Sequence, residues 1–223
     1  MSLIVLEGLD GSGKGTQTAL LFEALIKQGY SVRKISFPDY REPSSALVRM
    51  YLDGAFGEDP AQVSPYAASA FYAVDRFASY QRFWKDAYQA GEVILADRYT
   101  TSNMIYQAEK LPEESRNAFY RWLSDLEFDK FQLPKPDAVF YLDMLPEISQ
   151  QLLLKRYGGD SQKKDIHEKD SQYLAACRMC AAGAAKACGW TVIPCFDGDA
   201  PLPIEEVHQM ILKKTQEVLN PIC

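Results

Sequence analysis

The chain has 223 residues, of which 47% are hydrophobic and 24% charged, with 24 Lys and Arg against 30 Asp and Glu. This composition is typical of a globular protein, and it excludes a disordered, collagen-like or small disulfide-stabilised chain. The net charge of −6 argues against a general nucleic-acid binder, which needs a basic face to displace counterions from phosphates.

Short apolar runs alternate with segments of helical period along the whole chain. In the first such segment, apolar residues such as Leu21 and Leu25 recur four residues apart, and Gly29 ends it. In chain order, the predicted elements are strand 3–6, helix 14–28, strand 32–37, helix 64–91, strand 93–96, helix 112–129, strand 138–142, helices 146–156 and 169–188, strand 191–196 and helix 203–219. Strands that are separated by helices pair in parallel through right-handed crossovers. The pattern therefore predicts one α/β domain over residues 1–223, with a doubly wound, five-stranded parallel sheet flanked by helices.

The sequence offers no secretory or membrane-spanning segment. The opening apolar run stops after four residues and has no basic residues before it. The small-residue stretch 175–187 is interrupted by Arg178 and Lys186, so it does not suit a bilayer. We therefore expect no membrane partner, and the negative net charge likewise leads us to expect no nucleic-acid partner.

Four of the five cysteines lie between positions 177 and 195, and Cys177 and Cys180 stand three residues apart. This spacing allows a metal or redox site, and it equally allows small buried thiols on one face of a helix. No histidine lies in that stretch. The sequence therefore favours structural thiols in a reducing compartment.

A glycine-rich turn joins the first predicted strand to the first helix. Its residues are Gly8, Leu9, Asp10, Gly11, Ser12, Gly13, Lys14, Gly15 and Thr16. Such a turn is typical of a phosphate-binding P-loop, because glycines let backbone N–H groups turn toward phosphate oxygens and the helix N-terminus adds positive potential. Lys14 would then reach the β- and γ-phosphates of a nucleotide. The usual pattern has a hydroxyl directly after the lysine, whereas here Gly15 stands between Lys14 and Thr16. The alternative interpretation of the whole segment is a glycine-rich turn that only connects the strand to the helix.

The third predicted strand ends in Asp97 and Arg98, which the parallel topology brings to the same edge as the P-loop. Arginine offers a bidentate fork for a phosphate, and aspartate can orient that arginine or the water of a cation. A buried ion pair that fixes a loop is the alternative. Asn103 and Tyr106 follow on one helical face, where an amide could read a base edge and a phenol could pack on a sugar.

On the long helix predicted at 64–91, Tyr72 and Arg76 lie one turn apart. An aromatic ring beside a guanidinium can stack on a base while the guanidinium bonds the carbonyl rim of that base. The helix is rich in other aromatic residues, so the pattern by itself favours a core position for Tyr72.

Together these motifs resemble the bacterial-type thymidylate kinases, a family of P-loop nucleoside monophosphate kinases. The resemblance follows the chain in order. It begins with the P-loop and its acidic residue at 7–14, and it continues with Phe-Pro-Asp-Tyr at 37–40 and Phe-Tyr-Ala-Val-Asp-Arg at 71–76. It then includes the Asp-Arg-Tyr segment that runs on through 97–106 and a basic loop at about 155–168, in the position of the family's lid. Gly11 stands where the eukaryotic type carries arginine, and this implies the bacterial type, in which lid cations reach the transferring phosphate. The resemblance implies a P-loop NTPase-type fold with a short lid loop.

The family's activity would be the phosphorylation of dTMP to dTDP with ATP and Mg²⁺. The implied catalytic residues are Asp10, Lys14, Arg98 and Arg156, the last chosen among the lid cations because a guanidinium clamps phosphoryl oxygens well. The implied substrate-binding residues are Asp10, Phe37, Tyr40, Tyr72, Arg76, Asp97, Arg98, Asn103, Tyr106 and His167. The implied Mg²⁺ ligands are Asp10, Thr16 and Glu168.

The resemblance also assigns each contact to a part of the acceptor. Arg98 would hold the monophosphate, Tyr40 would lie near it, and Asp10 would meet the deoxyribose 3′-hydroxyl and help to place Mg²⁺. Tyr106 would exclude a 2′-hydroxyl, and His167 stands where many relatives carry a tyrosine.

For the base, Tyr72 would stack on thymine in a position where the family usually has phenylalanine. Arg76 would bond a base carbonyl, and Asn103 would also serve base recognition.

Two other functions fit the same residues. One is another nucleoside or nucleotide kinase of this fold, acting on dUMP, CMP or a deoxynucleoside. The other is a nucleotide-dependent switch protein, against which the sequence lacks an Asn-Lys-x-Asp guanine-reading motif. The resemblance further implies a cytoplasmic homodimer whose small-molecule partners are ATP and dTMP.

Overall fold

The structure is a computed structural model that describes residues 1–57, 59–156 and 171–220. Its main sheet contains β1 (Ser2–Gly8), β2 (Val32–Ser36), β3 (Val93–Asp97), β4 (Ala138–Asp143) and β5 (Thr191–Pro194). The strands lie in the order β2-β3-β1-β4-β5, and every adjacent pair is parallel. The predicted five-stranded parallel sheet of a P-loop NTPase-type α/β fold is confirmed.

The helices are α1 (Lys14–Lys27), α2 (Ala46–Leu52), α3 (Pro65–Ser79), α4 (Lys85–Gln89), α5 (Thr100–Tyr106), α6 (Glu113–Ser124), α7 (Pro146–Arg156), α8 (Ser171–Cys188) and α9 (Ile204–Leu219). They cover both faces of the sheet. Alternate strand residues point to opposite faces, so Ile4 and Leu6 pack with α1 and α9 on one side, whereas Leu3 and Val5 pack with the aromatic side chains of the other. Burial on both faces explains why β1, β3 and β4 read as unbroken apolar runs.

Two predicted helices contain π-helical segments, and the predicted end of one strand is wrong. The helix predicted at 64–91 is divided by a π-helical segment (Tyr80–Trp84), and the helix predicted at 112–129 ends in a second one (Asp125–Lys130). A π-helical turn holds extra residues, which a search for the 3.6-residue period does not detect. The strand predicted at 191–196 stops at Pro194, and Phe196 pairs instead with Pro201 in a separate two-stranded sheet of β6 (Phe196–Asp197) and β7 (Ala200–Pro201).

The sequence pattern predicts no element between positions 38 and 63, where the structure contains α2. The predicted lid at 155–168 lies outside the described residues except for the backbone at the end of α7. No helix in the described part of the chain is long and apolar enough to cross a membrane.

Candidate active site

A cleft of about 1240 Å³ opens at the carboxyl ends of the strands, where ligands of doubly wound sheets bind. It brings together most of the residues that the sequence singled out: Asp10, Gly11, Ser12, Gly13, Lys14, Gly15, Thr16, Phe37, Tyr40, Tyr72, Arg76, Asp97, Arg98, Asn103 and Tyr106. Gly8 and Leu9 do not line it, because they are buried at the start of the P-loop. His167 and Glu168 lie outside the described residues, and the structure describes only the backbone of Arg156.

The P-loop holds its lysine inside the turn. Lys14 Nζ donates hydrogen bonds to the carbonyl oxygens of Gly8 and Leu9 at 2.8 and 2.9 Å, and it lies 3.9 Å from Asp10 Oδ1. Burial lowers the pKa of this amine, as does the neighbouring Arg98 guanidinium. An anionic ligand that replaced the two carbonyls would favour the charged amine and so offset much of the free-energy cost of burying it.

Gly11 has a left-handed φ of 82°. A Cβ atom added there would lie 2.4 Å from the carbonyl oxygen of Ser149 on α7. Both the backbone conformation and the space therefore favour glycine, and a side chain at this position would displace α7. The arginine of the eukaryotic-type loop has no room here.

Arg98 connects the acceptor side to the P-loop. Its guanidinium donates through Nη2 to Asp10 Oδ1 and through Nη1 to Ser102 Oγ at 3.4 Å, and it stacks over the Tyr106 ring at 5.3 Å. Burial by itself would lower the pKa of Arg98, but Asp10, Tyr106 and Glu7 raise it well above its ordinary value. Arg98 therefore stays charged, and the Asp10 carboxylate with which it pairs is partly exposed.

Glu7 is a buried residue that the site predictions left out. Its carboxylate accepts hydrogen bonds from the backbone N–H of Gly8 at 2.9 Å and from the hydroxyls of Thr101 and Ser102 at 2.7 Å. It also lies 3.7 Å from Arg98 Nη1. One carboxylate thus fixes the start of the P-loop against the segment that carries Arg98, and the only sequence signal is a charge at the end of an apolar strand.

At the opposite end of the cleft, Arg76 is held by Glu127. Arg76 Nε and Nη2 donate to the two carboxylate oxygens of Glu127 at 2.6 and 2.5 Å. Asn103 Nδ2 donates to the carbonyl oxygen of Ser69 on α3 at 3.3 Å. Tyr72 is half-buried against Tyr51 and still lines the cleft, so its ring is both a packing residue and a wall of the site.

The segment after β2 reaches the cleft through Phe37 and Tyr40. The buried carboxylate of Asp75 anchors it, because Asp75 accepts from the backbone N–H of Asp39 at 3.1 Å and from Ser44 Oγ at 2.6 Å. Burial raises the pKa of Asp75, against the effect of these two hydrogen bonds. Tyr40 itself is exposed at the mouth of the cleft.

Gln107 is a second residue that sequence reasoning missed, although it stands one turn after Asn103. It is buried, lines the cleft, and hydrogen-bonds the Tyr51 side chain. Its Oε1 has no hydrogen-bond partner among the described residues. A buried acceptor without a partner costs free energy, so a ligand N–H at this position would be favoured.

Lys110 supports this end of the cleft from behind. Its Nζ donates to the Tyr51 hydroxyl at 2.8 Å and to the Val63 carbonyl at 3.4 Å, and burial lowers its pKa from 10.5 to about 8. Between these two pH values the unfolded chain binds the proton and the folded chain does not, so stability rises with pH over this interval. Below about pH 8 Lys110 is protonated in both the folded and the unfolded chain, so the free-energy cost of burying its charge is fully present.

We therefore expect the unfolding free energy of wild type, relative to Lys110→Met, to increase from pH 7 to pH 10. Urea denaturation of both proteins at several pH values measures this difference. Lys186→Met, at an exposed position of α8, is the control and should show no such trend. A difference that did not change with pH would contradict the shifted pKa of Lys110.

The first turn of α9 forms an apolar wall beside the P-loop, which the site predictions also left out. Pro203, Ile204 and Val207 line the cleft there, and Gln17 Nε2 on α1 donates to the Ile204 carbonyl at 2.9 Å. An apolar slot next to a phosphate loop suits the flat ring of a nucleobase.

The oxygen donors at the P-loop fit a hard divalent cation. Asp10 is 30% exposed, Thr16 is exposed, and Asp97 lies beside Gly15. The described residues contain no group of three His, Cys, Asp or Glu side chains that could hold a metal. Mg²⁺ needs no such cage, since it is usually held by one or two carboxylates together with substrate phosphates and water.

Cys177 and Cys180 are buried free thiols on α8. Burial raises the pKa of both, and the Cys180 thiol donates to the Met104 carbonyl at 3.6 Å. Thiols of this kind are unreactive packing residues, in agreement with the structural interpretation.

Comparison with known proteins gives the family. A sequence model described as "Thymidylate kinase" matches residues 6–211. The thymidylate kinase of Mycobacterium tuberculosis H37Rv is 31% identical over 176 residues, which cover 76% of this chain and 79% of the relative. A probable thymidylate kinase of Archaeoglobus fulgidus is 30% identical over 222 residues, with 98% and 96% covered. Because the family match extends from the P-loop to α9, the chain belongs to the thymidylate kinase family.

Proposed function

We propose that the protein transfers the γ-phosphoryl group of ATP to dTMP and releases ADP and dTDP. The observation that carries this proposal is the meeting of Lys14 and Arg98 at Asp10, because the two cations come from the nucleotide side and the acceptor side of one cleft. Phosphoryl transfer asks mainly for alignment of the reacting oxygens and for neutralisation of their charge. Two fixed cations with a shared carboxylate between them supply both.

No general base is needed in this mechanism, because the acceptor oxygen of a nucleoside monophosphate is already anionic near neutral pH. Lys14 would leave the carbonyls of Gly8 and Leu9 for the β- and γ-phosphates. Arg98 would exchange Asp10 for the phosphate of dTMP, and Asp97, Phe37 and Tyr40 would line the acceptor pocket. Mg²⁺ held by Asp10 and Thr16 would neutralise phosphate charge.

Base recognition would use the far end of the cleft. The Tyr72 ring would stack on thymine, and Arg76 and Asn103 would face its polar edge. The unpartnered Oε1 of Gln107 supports this assignment, since it could accept from the N–H of a thymine ring. Thymine offers a carbonyl acceptor at C4 and an N–H donor at N3, whereas cytosine offers an amino donor at C4 and an acceptor nitrogen at N3.

The lid completes the proposal. We infer that Arg156 reaches the transferring phosphate and that residues 155–168 cover the cleft, so that water is excluded and ATP is not hydrolysed. His167 would lie near the sugar, and Glu168 would assist Mg²⁺ binding. These assignments rest on the resemblance alone.

We also propose that the chain is a single domain that forms a cytoplasmic homodimer. Val74 and Phe77 on α3 are 45% and 39% exposed and lie on neighbouring turns. The proposal rests on the resemblance to the family, and these two exposed side chains would be available to a dimer interface. Sedimentation at micromolar concentration would distinguish a dimer from a monomer.

The direct test of the function is ADP release from ATP and Mg²⁺ in the presence of dTMP, dUMP, UMP, CMP, AMP or GMP. We expect the highest kcat/KM with dTMP. Preference for another monophosphate would favour a different kinase of this fold, and turnover without any acceptor would favour a switch protein.

Tyr106 gives a prediction about the sugar. Its ring packs against Arg98, so a nucleotide whose phosphate is held there brings its sugar close to the ring. A wall at C2′ leaves no room for a ribose hydroxyl, and such steric rejection is worth about 10²-fold. Tyr106→Ala should narrow the difference in kcat/KM between dTMP and 5-methyl-UMP, mostly by loss of dTMP activity.

Tyr106→Phe keeps the ring and should keep the preference for deoxyribose, which makes it the matched control. Steady-state kinetics with both nucleotides measure the ratio. An alanine variant with the wild-type ratio would show that Tyr106 does not exclude the 2′-hydroxyl.

A further inference from the structure

The pair formed by Arg76 and Glu127 is the most deeply buried ion pair in the described residues, with side-chain exposures of 1% and 0%. Glu127 stands 51 residues after Arg76, on the π-helical segment that follows α6. A third group, the Thr100 hydroxyl, donates to Glu127 Oε2 at 2.7 Å. Within the described ranges the carboxylate therefore has three donors, and two of them belong to Arg76.

The bidentate contact determines which edge of the guanidinium remains for a ligand. Nε and Nη2 face the carboxylate, and a two-point contact fixes the plane of the group. Among the residues that the structure describes, Nη1 donates only to the Tyr99 carbonyl, at 3.4 Å, which is a long hydrogen bond. Because Arg76 lines the cleft, Nη1 is the nitrogen of its guanidinium that can most easily donate a hydrogen bond to a bound molecule.

The charge of this pair is already balanced. Glu127 is sealed from solvent, so it is not exchanged for another anion, in contrast to Asp10, which is partly exposed beside Arg98. A balanced guanidinium with one weakly used N–H suits a neutral carbonyl acceptor. It does not suit a phosphate, whose charge would meet the buried carboxylate.

We propose that Glu127 is a positioning residue for base selection: it aims the Nη1 edge of Arg76 at the 4-oxo group of a pyrimidine and prevents Arg76 from acting as a phosphate ligand. This inference rests on the proposed function, because it assumes that a pyrimidine monophosphate occupies the cleft. It assigns the preference for a 4-oxo over a 4-amino pyrimidine to a residue that does not touch the base.

Glu127→Gln tests the proposal, since it keeps the shape of the side chain and removes its charge. The amide can accept from only one of the two Arg76 donors, and its own N–H group opposes the other, so the guanidinium must rotate. We expect the KM for dTMP to rise about tenfold or more, while the KM for ATP and the kcat at saturating dTMP change by less than about threefold. The ratio of kcat/KM for dTMP to that for dCMP should fall.

Thr100→Val is the matched control, because it removes one hydrogen bond from the same carboxylate and leaves the two Arg76 contacts in place. We expect it to change the KM for dTMP by less than about threefold. Arg76→Met combined with Glu127→Gln removes both charges together, and such a replacement avoids an unpaired buried ion. This double variant should lose the dTMP preference at least as fully as Glu127→Gln does.

If Glu127→Gln does not fold, Glu127→Asp takes its place, because it keeps the charge but is too short for both contacts; it should raise the KM for dTMP and narrow the dTMP-to-dCMP ratio. A folded variant with the wild-type KM and ratio, beside a double variant that loses both, would overturn the positioning role and leave the proposed function intact. Failure of the wild-type protein to phosphorylate dTMP would instead overturn the proposed function.

Discussion

Replacing Lys14 by alanine is expected to lower kcat by about 10²-fold or more without loss of the fold. The amine is a fixed positive charge inside the turn that would hold the transferring phosphate, and loss of one such group removes stabilisation that water cannot replace. The two carbonyls that accept from Lys14 in the structure, those of Gly8 and Leu9, face into the loop and can be hydrated in the variant.

The measurement is steady-state ADP release with ATP and dTMP, and circular dichroism verifies the fold. Lys27→Ala, which removes an exposed lysine from the other end of the same helix, should have wild-type activity. A folded Lys14→Ala protein with near wild-type turnover would disprove the assignment of residues 8–16 as the P-loop of the active site.

Arg98→Ala should lower kcat/KM for dTMP, and the expected loss corresponds to about 2–5 kcal/mol of transition-state stabilisation. This is the usual effect of breaking a buried, hydrogen-bonded charge pair, here the pair between Arg98 and the acceptor phosphate. Both parameters should change, because the guanidinium would bind the acceptor phosphate and also align it. The variant leaves Asp10 without its closest cation and Tyr106 without the group that stacks on it. Part of the loss therefore reflects disorder of the acceptor pocket.

Arg98→Lys separates these effects, because it restores the charge but not the bidentate fork; it should recover binding more than turnover. Arg121→Ala, at an exposed position of α6, is the control. An unchanged KM for dTMP in Arg98→Ala would mean that Arg98 serves only to fix the loop after β3.

The sequence by itself determined the sheet and the identity of the phosphate loop. β1, β3 and β4 are covered by helices on both faces, and such strands contain unbroken apolar runs, which are visible in the sequence without knowledge of the fold. The P-loop is also local, because its function needs glycines and a lysine at fixed spacing between a strand and a helix. Lys14 could therefore be proposed before any tertiary contact was known.

The tertiary structure alone decided how the site residues are paired. Asp10 and Arg98 are 88 residues apart, and Glu7 and Thr101 are 94 apart, so no periodicity or short motif connects them. Glu127 lies in a π-helical segment that interrupts the 3.6-residue period. In the sequence alone, nothing distinguishes Glu127 from the other charged residues of that helix. A buried charge is stable only beside its partner, and which partner that is depends on the packing of α3 against the end of α6.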